Sequence, residues 1–226
     1  ELTQITSIQL VPPDADEKTL SHYKEQFSLW ITACGLRELM ETFAVFLDEV
    51  HQASLLIAAS SRKLSINDIA IQDKKYRQKG IKEKLDLLKQ KFNIESKNPE
   101  ALKTIHQTRN CLTHRQGIVD TEDCFGGQNL IVKWMGLDIY AETPSGEIVP
   151  LQPVPKEGIF LPEGGRVKVK LLERLKTFPL QTLVTFSPRD LAEICHFVLL
   201  STGEIIGSAE AYARREGIPM STTSDA

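Results

Sequence analysis

The sequence predicts a mainly α-helical chain with a smaller β component, an α+β protein. In it a four-helix bundle is interrupted, before its last helix, by a small β-rich subdomain. Three observations predict this. Apolar residues recur at helical spacing over most of the chain up to about Asp120. Between about 128 and 186 the texture changes to short apolar runs divided by Gly and Pro turn signals. Helical spacing then returns at Ser187-Pro188, a cap residue followed by Pro at the first helical position. The organisation that follows is an extended lead-in over 1–16, a bundle built from 17–127 and 187–216, the insertion 128–186, and a flexible tail over 217–226.

Taken in order, the lead-in ends in Pro12-Pro13. From about Glu17 to Ser61, Phe27, Trp30, Ile31, Cys34, Phe43, Phe46, Leu47, Val50 and Leu56 mark a long helix that Gly35 can bend. Its apolar residues occupy more than one face, which fits burial on several sides and a homodimer. A polar break is expected at 65–68. A second helix is expected over about 74–92, with Ile81, Leu85 and Leu88 as a narrow stripe on an otherwise basic surface. Asn98-Pro99 opens the third helix, with Asn as cap. That helix carries Leu102, Ile105 and Leu112, and Gly117 suits its C-terminal stop. In the insertion, strands are expected at 130–135, 138–141 and 147–149, with a hairpin joining 160–161 to 167–171 through Pro162-Glu-Gly-Gly165. Leu191, Ile194, Cys195, Val198, Leu199, Ile205, Ile206, Ala209 and Ala213 mark a last helix of about seven turns.

Composition narrows the function classes. Hydrophobic content is 41% and charged content 25%, ordinary for a globular domain, and the net charge of −3 means that any nucleic-acid surface must be local. Cys34, Cys111, Cys124 and Cys195 form no CxxC pair, so neither a disulfide framework nor a zinc site is expected. No apolar run of the roughly 20 residues that span a bilayer is evident, and the first residues lack the basic and apolar regions of a signal peptide. A cytoplasmic protein with no membrane role and no cofactor is the expectation. His51, His106 and His196 stand singly, away from metal-ligand spacing.

The chemistry concentrates in Arg109-Asn110-Cys111-Leu112-Thr113-His114. On a helical wheel Arg109 falls in the same arc as Leu102, Ile105 and Leu112, where a charge is costly unless paired or at an opening. Asn110 and His114 are four apart and share an adjacent face. Arg109 and His114 are five apart, about 140° on an ideal helix, so they converge on one ligand only if the helix ends or loosens there. His114 would lie in the last turn, where the negative end of the macrodipole favours imidazolium. Arg109 offers a planar fork for a phosphate, and Asn110 could bind the same group or orient the imidazole. Cys111 reads as a packed thiol rather than a nucleophile. Against this stands a structural reading, in which Arg109 ties down carbonyls or pairs with Glu38, Glu41 or Asp48 while His114 caps the helix. Lys74, Lys75, Arg77, Lys79 and Lys82, together with Arg115, are the candidate RNA-contacting cations, the alternative being a solvated helix face.

Arg109-Asn110-x3-His114 resembles the R-x4-6-H motif of HEPN domains, in which a polar residue, often Asn, follows the Arg late in the third helix of a four-helix bundle. The resemblance covers about 17–120 and 187–216; the β-rich insertion has no counterpart in the minimal domain. It implies a metal-independent endoribonuclease, acting in a toxin, antiviral or anti-phage defence system, as a homodimer with a composite cleft. Arg109 would stabilise the phosphate, His114 would be the acid/base and Asn110 would assist. RNA is then the implied substrate, and a protein regulator or antitoxin a possible partner. HEPN toxins paired with small nucleotidyltransferase antitoxins often carry Tyr two residues after the His. Gln116 stands there, so the resemblance does not extend to that pairing. Other HEPN domains are non-catalytic and bind nucleotides or proteins. That leaves a second reading, a dimeric interaction or nucleotide-binding module whose β-insertion recognises a partner.

Overall fold

The computed structural model describes residues 15–61, 64–124, 126–152 and 154–219. Residues 1–14 of the expected lead-in and 220–226 of the expected tail lie outside the described residues. Five α-helices and a three-stranded antiparallel sheet make up the rest, with α1 Glu17–Ser60, α2 Ile66–Arg77, α3 Ile81–Phe92, α4 Pro99–His114 and α5 Pro188–Arg215. The sheet inserts between α4 and α5 as β1 Asn129–Glu142, β2 Ile148–Pro150 and β3 Arg166–Pro179, in the order β2-β1-β3.

The 44 residues of α1 span about 66 Å. The Asp16 carboxylate caps the helix by accepting from the Thr19 N–H at 2.7 Å. Leu36, Met40, Phe43, Leu47 and Val50, alternating three and four apart, bury the seam that the other helices pack against. The N-terminal part of α1 lies off that seam in the single chain. Tyr23, Phe27, Trp30 and Ile31 are 43–61% exposed, and Phe27 stacks on Trp30 rather than on the core.

The expected single basic helix is two helices. Ser65 and Asp68 form a reciprocal capping box, so the expected polar break is the start of α2. The chain turns through Gln78-Lys79-Gly80, with Gly80 at the N-cap of α3. Ile81, Leu85, Leu88 and Phe92 bury the inner face of α3. Lys84 corrects the view of a uniformly basic surface. It is buried, with Nζ 2.7 Å from Asp48 of α1 and the Tyr76 ring beside it.

Asn98 does precede α4 with Pro99 in the first turn, but its side chain makes no capping bond. Instead the loop is pinned to α5, with Ser96 Oγ and the Lys97 N–H both donating to Glu204. At the other end the N–H groups of Arg115 and Gly117 both donate to the Cys111 carbonyl, and Gln116 and Gly117 take positive φ. The stop near Gly117 is as expected, with Gln116 sharing the left-handed turn.

β1 runs unbroken through Gly136, where two strands were expected, and pairs with β3 over its whole length in continuous register. Gly136 is not a turn. An added Cβ would collide with Glu193 of α5 and lie 2.6 Å from Arg174 Nε, so the glycine lets two charged side chains cross the strand. Residues 160–161 are not a strand; the long hairpin partner of β3 is β1 itself. The base of the ribbon is continuous with the helical core, where Leu130, Val132, Trp134, Phe178 and Phe186 join the same buried cluster as Ile105, Leu112 and Ile194. α5 begins with a Ser187–Asp190 capping box and buries Ile194, Phe197, Val198 and Ile205.

α1 and α5 each contain an 18-residue window long and apolar enough to cross a membrane, which corrects the expectation that no such run is present. Both helices supply the seam residues of the core.

Candidate functional site

The motif helix presents Arg109 at the margin of its buried face, because Leu102, Ile105, Thr108, Cys111 and Leu112 already fill the arc against the core. The Arg109 side chain is 18% exposed, with one guanidinium nitrogen 2.7 Å from Glu41 Oε1 on α1. A second nitrogen donates to Asn110 Oδ1 at 3.2 Å. Arg109 Nε is buried with no hydrogen-bond partner among the described residues. Glu41 is half exposed and also lies 3.6 Å from Arg37, so this ion pair sits at the surface end of the α1–α4 seam.

His106 completes the cluster and was not singled out as a member by the sequence. It lies three and four residues before Arg109 and Asn110, on the same face of α4. Its Nε2 is 3.5 Å from Asn110 Nδ2, and its Nδ1 is buried without a partner. Burial, followed by the neighbouring Arg109 charge, lowers its pKa below the usual histidine value, so the ring is neutral at pH 7. The i−3/i−4 spacing was the available signal.

His114 is the last residue of α4 and is exposed, and its side chain makes no hydrogen bond or ion pair with any described residue. The helix stays α-helical up to it, so Arg109 and His114 keep their divergence of about 140°. One chain therefore brings Arg109, Asn110, His106 and Glu41 together, but it does not bring His114 onto the same point.

The other candidate cations are spread out. Lys74 and Lys75 are exposed on α2, and Lys82 is exposed at the start of α3. Arg77 is held by Asp73 at 2.7 Å, and Lys79 lies 3.7 Å from Glu83. Arg115 is committed to structure. Its Nε donates to Asp123 Oδ2 at 2.9 Å, a second nitrogen makes a shorter contact to Asp123, and a third reaches Glu122. Burial alone would raise the Asp123 pKa, but the bonds from Arg115 and from the Asp120 N–H hold its carboxyl below the usual range. Cys111 is a packed thiol, pushed up to about 12 by burial and by the nearby Asp123.

Two further polar clusters lie away from the motif. His51 is buried and stacks face to face on Tyr76, centroids 3.7 Å apart, with Asp73 at 3.8 Å and the Asp48–Lys84 pair close by. Trp134 donates to Glu193, which also takes Arg174 and Arg189, while Arg174 reaches Asp138 at 2.5 Å. The second cluster floors an open cleft of about 730 Å³ between the sheet and α5, walled by Tyr140, Ile148, Pro150 and Leu172. Among the described residues no three His, Cys, Asp or Glu side chains are grouped to hold a metal. No family model, curated protein or solved structure matches the chain.

Proposed function

We propose that the chain is a HEPN-type endoribonuclease of the cytoplasm, working as a homodimer in a toxin or anti-phage defence system and cleaving RNA through its own 2′-hydroxyl without a metal. The observation that carries this reading is the pairing of Arg109 with the Asn110 carboxamide at a partly open surface, on a helix that ends in an exposed His114 whose side chain has no partner among the described residues. A phosphate approaching Arg109 competes with Glu41, a half-exposed carboxylate that can swing into water. Arg109 then neutralises the charge that develops on the phosphorane. Asn110 donates to the same oxygens, with the neutral His106 ring behind it. His114 moves the proton.

The divergence of Arg109 and His114 favours a composite site, in which one copy supplies the cation and the other the imidazole. The N-terminal part of α1 suits a dimer contact, since Tyr23, Phe27, Trp30 and Ile31 are 43–61% exposed and not packed by the core among the described residues. The test is cleavage of a mixed RNA in EDTA by the wild type, Arg109→Ala and His114→Ala. Activity in the wild type and its loss in both variants, with all three folded, supports the proposal. Equal activity in all three, or none in a dimeric wild type, refutes it.

The Arg109–Glu41 distance of 2.7 Å favours a second reading, a non-catalytic dimeric interaction or nucleotide-binding module in which this pair only fastens α4 to α1. Glu41→Gln separates the two. A freed Arg109 gains RNA affinity if the site binds phosphate, whereas a purely structural pair yields only a lower melting temperature.

A further inference from the structure

β3 has an outer edge with a definite backbone register. The Leu151 N–H donates to the Ile139 carbonyl at 2.9 Å, and the Lys133 N–H donates to Thr104 Oγ1 at 3.0 Å. Odd-numbered residues of β1 therefore turn their backbone groups away from β3. Because the β1–β3 register is unbroken, their partners Val167, Val169, Leu171, Glu173, Leu175 and Thr177 form the non-hydrogen-bonded pairs. These residues point their N–H and C=O groups out to the free edge. Among the described residues, no backbone group pairs with that edge.

The two faces of β3 are chemically opposite. On one, Val167, Val169, Leu171 and Leu175 are 53–67% exposed, with Ile131 exposed across the ribbon on β1. On the other, Arg166, Lys168, Lys170, Arg174 and Lys176 alternate along the strand, broken only by Leu172. Lys168, Arg174 and Lys176 have acidic partners in Glu142, Asp138 and Asp190. Arg166 and Lys170 have none among the described residues.

We infer that the free edge of β3 docks an extended strand of another polypeptide, with acidic residues on one face and aliphatic residues on the other. Strand addition would satisfy the outward backbone groups. The partner's acids would lie beside Arg166 and Lys170, and its aliphatic residues would cover the apolar face. Charge decides against a second copy of β3, whose basic face would be set against basic face, the arrangement by which edge lysines block self-pairing. RNA could follow the cations but has no amide ladder for the edge and nothing to cover the valines and leucines.

The experiment is fluorescence anisotropy with a labelled peptide alternating Glu and Val, against a peptide alternating Lys and Val and against oligouridylate. Val169→Pro removes an outward N–H and no bond to β1, so the ribbon keeps its pairing. It should weaken the Glu/Val peptide by about tenfold or more with an unchanged circular-dichroism spectrum. Lys170→Glu should weaken that peptide and improve binding of the Lys/Val peptide, and it carries the test if Val169→Pro fails to fold. The inference is overturned if the Glu/Val peptide does not bind or if Val169→Pro leaves its binding intact. It is equally overturned if Val169→Pro turns a sedimenting dimer into a monomer, or if Lys170→Glu abolishes oligouridylate binding while leaving the peptide untouched.

Discussion

His51 gives the fold a pH dependence that can be worked through from its surroundings. The ring is 1% exposed, stacked on Tyr76 and edge-on to Phe92. Burial, with a smaller contribution from the Lys91 charge, pushes its pKa down to about 4 from an ordinary 6.5. Between those values the unfolded chain takes up a proton that the folded chain refuses. Stability is therefore full above about pH 6.5 and falls as the pH drops toward 4. That separation corresponds to roughly 3 kcal/mol, most of it lost between pH 7 and 4.5. The perturbation is His51→Phe, which keeps a ring against Tyr76 and removes the titration. Urea unfolding of both proteins at pH 7 and 4.5 isolates the effect, because carboxylates away from the ring keep their surroundings, and adding Asp73→Asn to both proteins removes the one that faces it at 3.8 Å. The wild type should lose about 2–3 kcal/mol more than the variant over that interval. An equal loss in the two proteins would refute the assignment of a buried neutral imidazole.

Three other perturbations follow from the packing. Gly136→Ala drives a methyl group into Arg174 and Glu193 and should destabilise by about 1–3 kcal/mol in urea unfolding, where a Gly→Ala change in open extended backbone would be neutral or stabilising. Lys84→Met strands Asp48 without its partner and should cost about 3–5 kcal/mol, with the double variant Asp48→Leu/Lys84→Met recovering part of that loss in the same assay. Arg115→Ala leaves the Asp123 side chain buried without its cation and should lower the melting temperature, while Lys74→Ala and Lys75→Ala should leave it unchanged.

The helical frame was legible where the apolar period was strong. α1, α4 and α5 follow from their seams, and the capping pair Ser187-Pro188 marks the start of α5 correctly. The α2–α3 boundary was obscured because the basic residues run on across it. The capping box at Ser65 and the N-cap at Gly80 were the local signals for two short helices. Lys84 could not be placed by spacing, since its burial depends on Asp48, which is 36 positions away on α1. The continuity of β1 was hidden for the same reason. Gly136 looks like a turn until the side chains crossing it are known. At the motif, the position of Arg109 on the apolar arc announced a partner, and Glu41 was among the carboxylates within reach of that argument. Only the helix crossing selects it over Glu38 and Asp48. His106 was legible from its spacing to Asn110, but a neutral, half-buried histidine carries no charge pattern to draw notice.

The chemistry of the RNA ends tests the central proposal most directly. Wild-type protein incubated with RNA in EDTA should release fragments ending in a 2′,3′-cyclic phosphate and a 5′-hydroxyl, and a substrate with 2′-deoxyribose at the cut site should survive intact. Fragments bearing 5′-phosphates, cleavage of the deoxy substrate, or intact RNA after incubation with the dimer would contradict a 2′-hydroxyl mechanism run by Arg109 and His114.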